Sequence, residues 1–320
     1  MELSKVESAP WSKVSQKRKK DVHFWDSVFY EFLRWSSGAL GLLLLLIAFF
    51  LFLKALPAIQ KFGFDFLTQS VWDPVQEIFG AAPVIFGTLV SSLIAVSISA
   101  PLSIGVALFL NELAPPKLAR GISFLVEMLA AIPSVVYGLW GIFVLAPWLR
   151  STVEPLLARF FGFIPLFQGP FYGVGMLAAG LILAIMITPT IFAISREVFN
   201  AIPRAQREGA LALGATRWEM MKISVLSASK SGVGGAIILG LGRALGETMA
   251  VTMLIGNRAE ISASLFAPGQ TMASAIANEY AEATSDMHLA ALVEVGLVLL
   301  AITFAINVFA RLFVLRNQKK

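Results

Sequence analysis

Apolar residues in this chain collect into six runs, at 36–56, 83–110, 122–146, 173–195, 233–256 and 289–314, with polar segments between them. A helix needs about 20 such residues to cross a hydrocarbon layer about 30 Å thick. Each run meets that length, so the pattern predicts six spans joined by five loops, an all-α integral membrane fold. Several runs contain helix breakers: Pro133 in the third, Pro189 in the fourth, and Gly234, Gly235, Gly240, Gly242 and Gly246 in the fifth. Lipid offers no hydrogen bonds to freed backbone groups, so these breakers imply neighbouring helices that satisfy them, in a packed bundle. Gly242-Arg243-Ala244-Leu245-Gly246 is also a GxxxG, a pattern that permits close helix approach.

Composition sharpens this picture. Hydrophobic residues make up 57% of the chain and charged ones 14%, against about 45–50% and about 25% in soluble domains. There is no cysteine, which removes disulfides, thiolate metal sites and cysteine nucleophiles together. His23 and His288 are the two imidazoles, and neither has a second ligand at helical spacing, so no metal and no cofactor is expected. The net charge of +5 comes from basic residues beside the apolar runs, where lipid headgroups and topology account for them without nucleic acid.

The segment 1–35 reads as a basic tail and 36–320 as the membrane domain. Lys17-Arg18-Lys19-Lys20 ahead of the first run imitates the charged region of a cleavable signal. The run is too long for that, and Lys54 stands where small residues would be needed, so a retained first helix is expected. Most of the 25 Lys and Arg fall in the tail, the second and fourth loops and the C-terminus, which places both termini in the cytoplasm.

The fourth loop, 196–232, is too long for a turn and carries helical signals of its own. Pro203 suits a first helical turn and Gly214 a helix stop. Thr216-Arg217-Trp218-Glu219 reads as a capping box, so a second helix starts there. The expected loop is helix, glycine turn, helix, which by itself describes a solvated amphipathic hairpin.

Within it, Arg207 and the run Glu208-Gly209-Ala210-Leu211-Ala212-Leu213-Gly214 resemble the EAA-x-x-x-G loop of ATP-binding-cassette (ABC) importer permeases. The departures are Gly209 in place of the second alanine, and Ser224 and Ser227 where the longer pattern favours isoleucine and proline. Ala131-Ile132-Pro133-Ser134-Val135-Val136-Tyr137-Gly138-Leu139-Trp140-Gly141, Gly242-Arg243-Ala244-Leu245-Gly246-Glu247-Thr248-Met249-Ala250 and Thr271-Met272-Ala273-Ser274 extend the likeness. Together with the stretch from Ala210 to Glu219 they resemble phosphate-specific transport permeases of the PstC type.

The resemblance implies a six-helix permease bundle of an ABC importer in a bacterial or archaeal plasma membrane. It also implies a heterodimer with a sister permease subunit, two cytoplasmic ATPase subunits and an extracytoplasmic phosphate-binding protein. Residues Arg207 to Gly214 would form the loop that couples the spans to an ATPase. No glycine is followed by lysine, so GxxxxGK[ST] is absent and ATP hydrolysis is expected on another chain.

Arg243 lies inside the fifth run, and Glu247 follows one helical turn later. A charge at that depth costs at least about 2.5–3.5 kcal/mol, so it calls for a partner or a wet path. One reading is an ion pair that only fixes packing. The other is that Arg243 lines the substrate pathway and offers phosphate a planar fork, with Glu247 holding the guanidinium. Glu127 in the third run and Glu294 in the sixth are expected to snorkel at membrane edges. Alternatives to phosphate import are an ABC permease for sulfate or molybdate, and an ATP-independent secondary transporter.

Overall fold

The computed structural model describes residues 11–318, and the side chains of residues 26–312. The basic cluster Lys17 to Lys20 and the His23 side chain lie outside the described residues. The elements are α1 (Trp11–Phe62), a hairpin of β1 (Trp72–Asp73) and β2 (Ile78–Phe79), α2 (Ala82–Glu112) and α3 (Pro116–Ala130). There follow α4 (Ser134–Phe161), α5 (Met176–Asn200), α6 (Arg204–Ala212), α7 (Arg217–Leu245), α8 (Met249–Leu254), α9 (Met272–Glu279) and α10 (Asp286–Gln318). Among the described residues six helices are long and apolar enough to cross a membrane: α1 from Asp26, α2, α4, α5, α7, and α10 to Leu312.

The chain forms two compact units, one ending at Leu53 and one beginning at Lys54. In the first, the leucines and phenylalanines between 40 and 53, apart from the half-buried Leu51, stay exposed, as lipid-facing side chains do. The second unit holds the bundle. Its centre is the packing of α2 on α5, where a Cβ on Gly180 would come within 2.6 Å of Ile94 Cγ2. Both helices carry an interior proline, Pro101 and Pro189. At that level Thr188 Oγ1 donates to Ser99 Oγ at 3.1 Å, and Ser103 Oγ donates to the Thr188 carbonyl at 3.1 Å. These hydroxyl bonds join the two helices beside their prolines.

Two spans differ from expectation. The run 122–146 is not one helix: Pro133 adopts φ −60°, ψ 143° as the N-cap of α4, so it starts a helix instead of kinking one. The apolar residues before it belong to α3, whose Ala119, Ile122 and Val126 pack inward while Phe124, Leu125 and Met128 are exposed. The span is therefore Ser134–Phe161, and its polar stretch Arg150, Ser151, Thr152 and Glu154 diluted the hydropathy signal. Two π-helical turns, Gly141–Leu145 and Leu149–Val153, lie within it.

The fifth run also breaks. Helix α7 ends at Leu245, Gly246 to Thr248 are non-helical, and only the short α8 follows. The GxxxG glycines make no close helix contact, since the nearest atom to a Cβ on Gly242 would be Asn307 Oδ1 at 3.9 Å. Close approach is made instead by Gly232 and Gly240, where a Cβ would meet Val198 at 2.5 Å and Ile191 at 2.7 Å on α5. Those two glycines lie on the α5-facing side of α7, whereas Gly246 is already past its end.

Candidate functional site

Two polar regions stand apart from the apolar interior. The first surrounds the break after α7. Arg243 sits in the last turn of α7, exposed, with Nη1 donating to Thr190 Oγ1 on α5 at 3.4 Å. Thr190 lies six residues before the charged Arg196 and Glu197 on α5, a rise of about 9 Å. The guanidinium therefore sits at the end of α7, beside the apolar part of α5. Glu247 does not hold it: among the described ion pairs none joins the two. Instead Glu247 Oε1 accepts from the Ala250 N–H at 3.4 Å, capping α8. The expected i, i+4 pairing fails because Gly246 ends the helix between them. A helix interrupted at membrane depth needs protein or water around its free backbone groups, an arrangement that transporters use for substrate sites.

The second region is the hairpin between α5 and α7. Gly214 adopts φ +86°, the left-handed geometry expected of a glycine stop. Thr216 Oγ1 accepts from the Glu219 N–H at 3.3 Å, while Glu219 Oε2 accepts from the Thr216 N–H at 2.8 Å, completing the capping box. α7 then begins at once, so the hairpin is shorter than the loop inferred from hydropathy. Ser224, at a position where the longer loop pattern favours isoleucine, donates from Oγ to the Gln206 carbonyl at 3.1 Å and ties α6 to α7.

Within the hairpin, Glu208, Gly209, Leu211, Ala212, Leu213 and Gly214 are exposed, with Leu213 at 91%, and Ala210 is half-buried. Trp218 is exposed beside them. Arg207 points the other way: its Nε and Nη2 reach Glu112 Oε1 at 3.0 and 2.9 Å. A cavity of about 550 Å³ opens beside it, lined by Glu112, Arg204, Arg207, Glu208 and Arg217 among others.

The two carboxylates expected to snorkel behave differently. Glu127 is on α3, outside any span, and pairs with Arg196 at 3.4 Å. Glu294 is 5% exposed, and its Oε2 has no partner among the described residues. Its helix packs that face inward, which a hydropathy window does not register. Elsewhere, Glu279 joins Trp72 Nε1 at 2.7 Å, Gln270 Nε2 at 3.1 Å and His288 Nε2 at 3.1 Å. No spacing in the sequence links these four residues, and among the described residues no cluster suits a metal ion.

A family model described as "Binding-protein-dependent transport system inner membrane component" matches residues 99–319, which include both polar regions. The chain belongs to this family. Similar proteins include the "Phosphate transport system permease protein PstC" of Mesorhizobium japonicum, 47% identical over 295 residues, covering 91% of this chain and 90% of that one. The protein of the same name from Pasteurella multocida is 45% identical, covering 93% and 94%. Among solved structures, an inward-facing MetNI methionine ABC transporter chain superposes with a TM-score of 0.55 at 16% identity, covering 76% of this chain and 98% of that one. That likeness concerns the helical fold alone. As a member of the family, this chain is a multi-pass membrane component of a transport system.

Proposed function

We propose that this chain is the permease subunit of an ABC importer that moves inorganic phosphate by alternating access. The observation that carries the reading is the interrupted α7, which leaves Arg243 in its last turn with one long hydrogen bond and no carboxylate partner among the described ion pairs. Its planar fork suits two phosphate oxygens, and weak prior commitment lets the anion arrive and leave. The relatives named for phosphate transport support that substrate over sulfate or molybdate.

On this reading the exposed residues from Glu208 to Gly214 dock on a cytoplasmic ATPase subunit. A sister permease completes the pathway, and an extracytoplasmic binding protein delivers phosphate. Both termini and the hairpin are cytoplasmic, in agreement with the basic bias of those segments. The tail 1–35 adds a cytoplasmic basic segment to the membrane domain 36–320. Vesicles reconstituted with the full complex test the reading: labelled phosphate should accumulate only with ATP and binding protein, and ATP-independent uptake would point to a secondary transporter instead. Orientation is checked with Gln206→Cys, a clean probe because the chain has no native cysteine. Labelling of that cysteine in intact cells by an impermeant reagent would reverse the topology.

A further inference from the structure

The side chain of Arg207 is surrounded by acceptors from two spans. Its Nε and Nη2 bond Glu112 Oε1, the last residue of α2. Nη1 donates to the Ile202 carbonyl at 2.6 Å, and Nη2 also donates to the Phe199 carbonyl at 2.8 Å. These carbonyls belong to the last turn of α5 and the residues just past it. A helix C-terminus presents unsatisfied carbonyls and partial negative charge. Here two such ends converge, and one of them also carries a carboxylate, an unfavourable place for an anion unless a cation meets it. Asn111 Nδ2 donates to the same Glu112 Oε1 at 2.6 Å and fixes its direction. The pair is largely withdrawn from solvent, at 16% exposure for Arg207 and 6% for Glu112.

The next residue, Glu208, is exposed, as are Leu211 and Leu213. Helix α6 therefore has two faces: one turned outward, and one fastened by a single guanidinium to α2 and α5. Lysine could not make this set of contacts, because an ammonium is a point charge and lacks the rigid planar fork.

We infer that Arg207 is a positioning residue, a strut that makes α6 move as one body with the ends of α2 and α5. It does not itself touch the partner. A displacement of the outward face of α6 is then delivered to the two spans that form the centre of the bundle. This inference rests on the reading that α6 docks an ATPase subunit, and the experiment separates the two.

The assembled complex is prepared with wild type, Arg207→Gln, Glu112→Gln/Arg207→Gln, and Glu112→Cys/Arg207→Cys. Phosphate transported per ATP hydrolysed and co-purification of the ATPase are both measured. The double-glutamine variant leaves no unpaired buried charge and so guards against simple misfolding. The expected result is that the ATPase co-purifies with all variants while the transport-to-hydrolysis ratio falls about tenfold or more in both glutamine variants, as loss of a buried charge-paired anchor implies. Joining the two cysteines with a short bifunctional thiol reagent restores the ratio, and the unjoined form does not. A merely charge-neutralising role for Arg207 predicts the reverse: normal coupling in the double-glutamine variant, and no gain from the bridge. Either of those outcomes overturns the strut and leaves docking intact. Failure of the ATPase to co-purify with wild type overturns the docking reading and the strut with it.

Discussion

Arg243 and Arg207 are the same side chain in opposite conditions. Arg207 spends its donors on one carboxylate and two carbonyls at 2.6–3.0 Å and is mostly buried. Arg243 is exposed, and among the described residues its one side-chain hydrogen bond goes to a hydroxyl at 3.4 Å. A saturated guanidinium resists displacement because each lost bond leaves a buried acceptor unpaired. An unsaturated one keeps its hydrogen-bonding capacity for something that arrives. The first arrangement suits transmission of force, and the second suits capture of a ligand.

Three changes test how far this contrast holds. The largest effect is expected from Arg243→Gln, which keeps polar bulk but loses the charge and the fork. Phosphate uptake per assembled complex should fall by about 100-fold, the equivalent of about 3 kcal/mol for a charge-assisted contact. Because Glu247 caps α8 and does not pair with Arg243, Arg243→Gln/Glu247→Gln should stay inactive. Recovery of uptake in that double variant would show that Arg243 serves only to balance Glu247.

Gly214→Val comes second. Its φ of +86° suits glycine and penalises a β-branched residue by about 1–3 kcal/mol, so recovery of ATPase on the purified permease should drop about tenfold while membrane insertion is unchanged. Full recovery would mean that the hairpin geometry is not what the partner reads. The smallest effect is expected from Thr190→Val, which removes the hydroxyl that accepts from Arg243 Nη1. A neutral hydrogen bond of about 1 kcal/mol implies a rise of about fivefold in the KM for uptake, with the maximal rate kept. A collapse of the maximal rate would move Thr190 from orienting Arg243 to holding the helices together.

The hairpin shows how much was legible. Gly214 and the Thr216–Glu219 capping box were readable because a glycine stop and a reciprocal cap depend on residues within a single turn. The direction in which Arg207 points was not, because its acceptors Glu112, Phe199 and Ile202 come from helices that meet it only after packing. Pro133 illustrates a different difficulty. A proline inside an apolar run is equally compatible with a kinked span and with the start of a new helix, and the extended backbone of Pro133, with ψ 143°, decides for the latter.

By itself the sequence determined the membrane environment, the helical class, the hairpin and its turn, and the position of Arg243 within an apolar run. Apolar length, capping and backbone conformational preference are local properties, and a local window reports them. Only the tertiary structure decided that α7 stops at Leu245, that Glu247 turns to Ala250 and away from Arg243, and that Glu294 is enclosed while Glu127 meets Arg196. Each of those outcomes depends on which neighbouring helix supplies the competing hydrogen bond or the covering surface, and distance along the chain does not fix that.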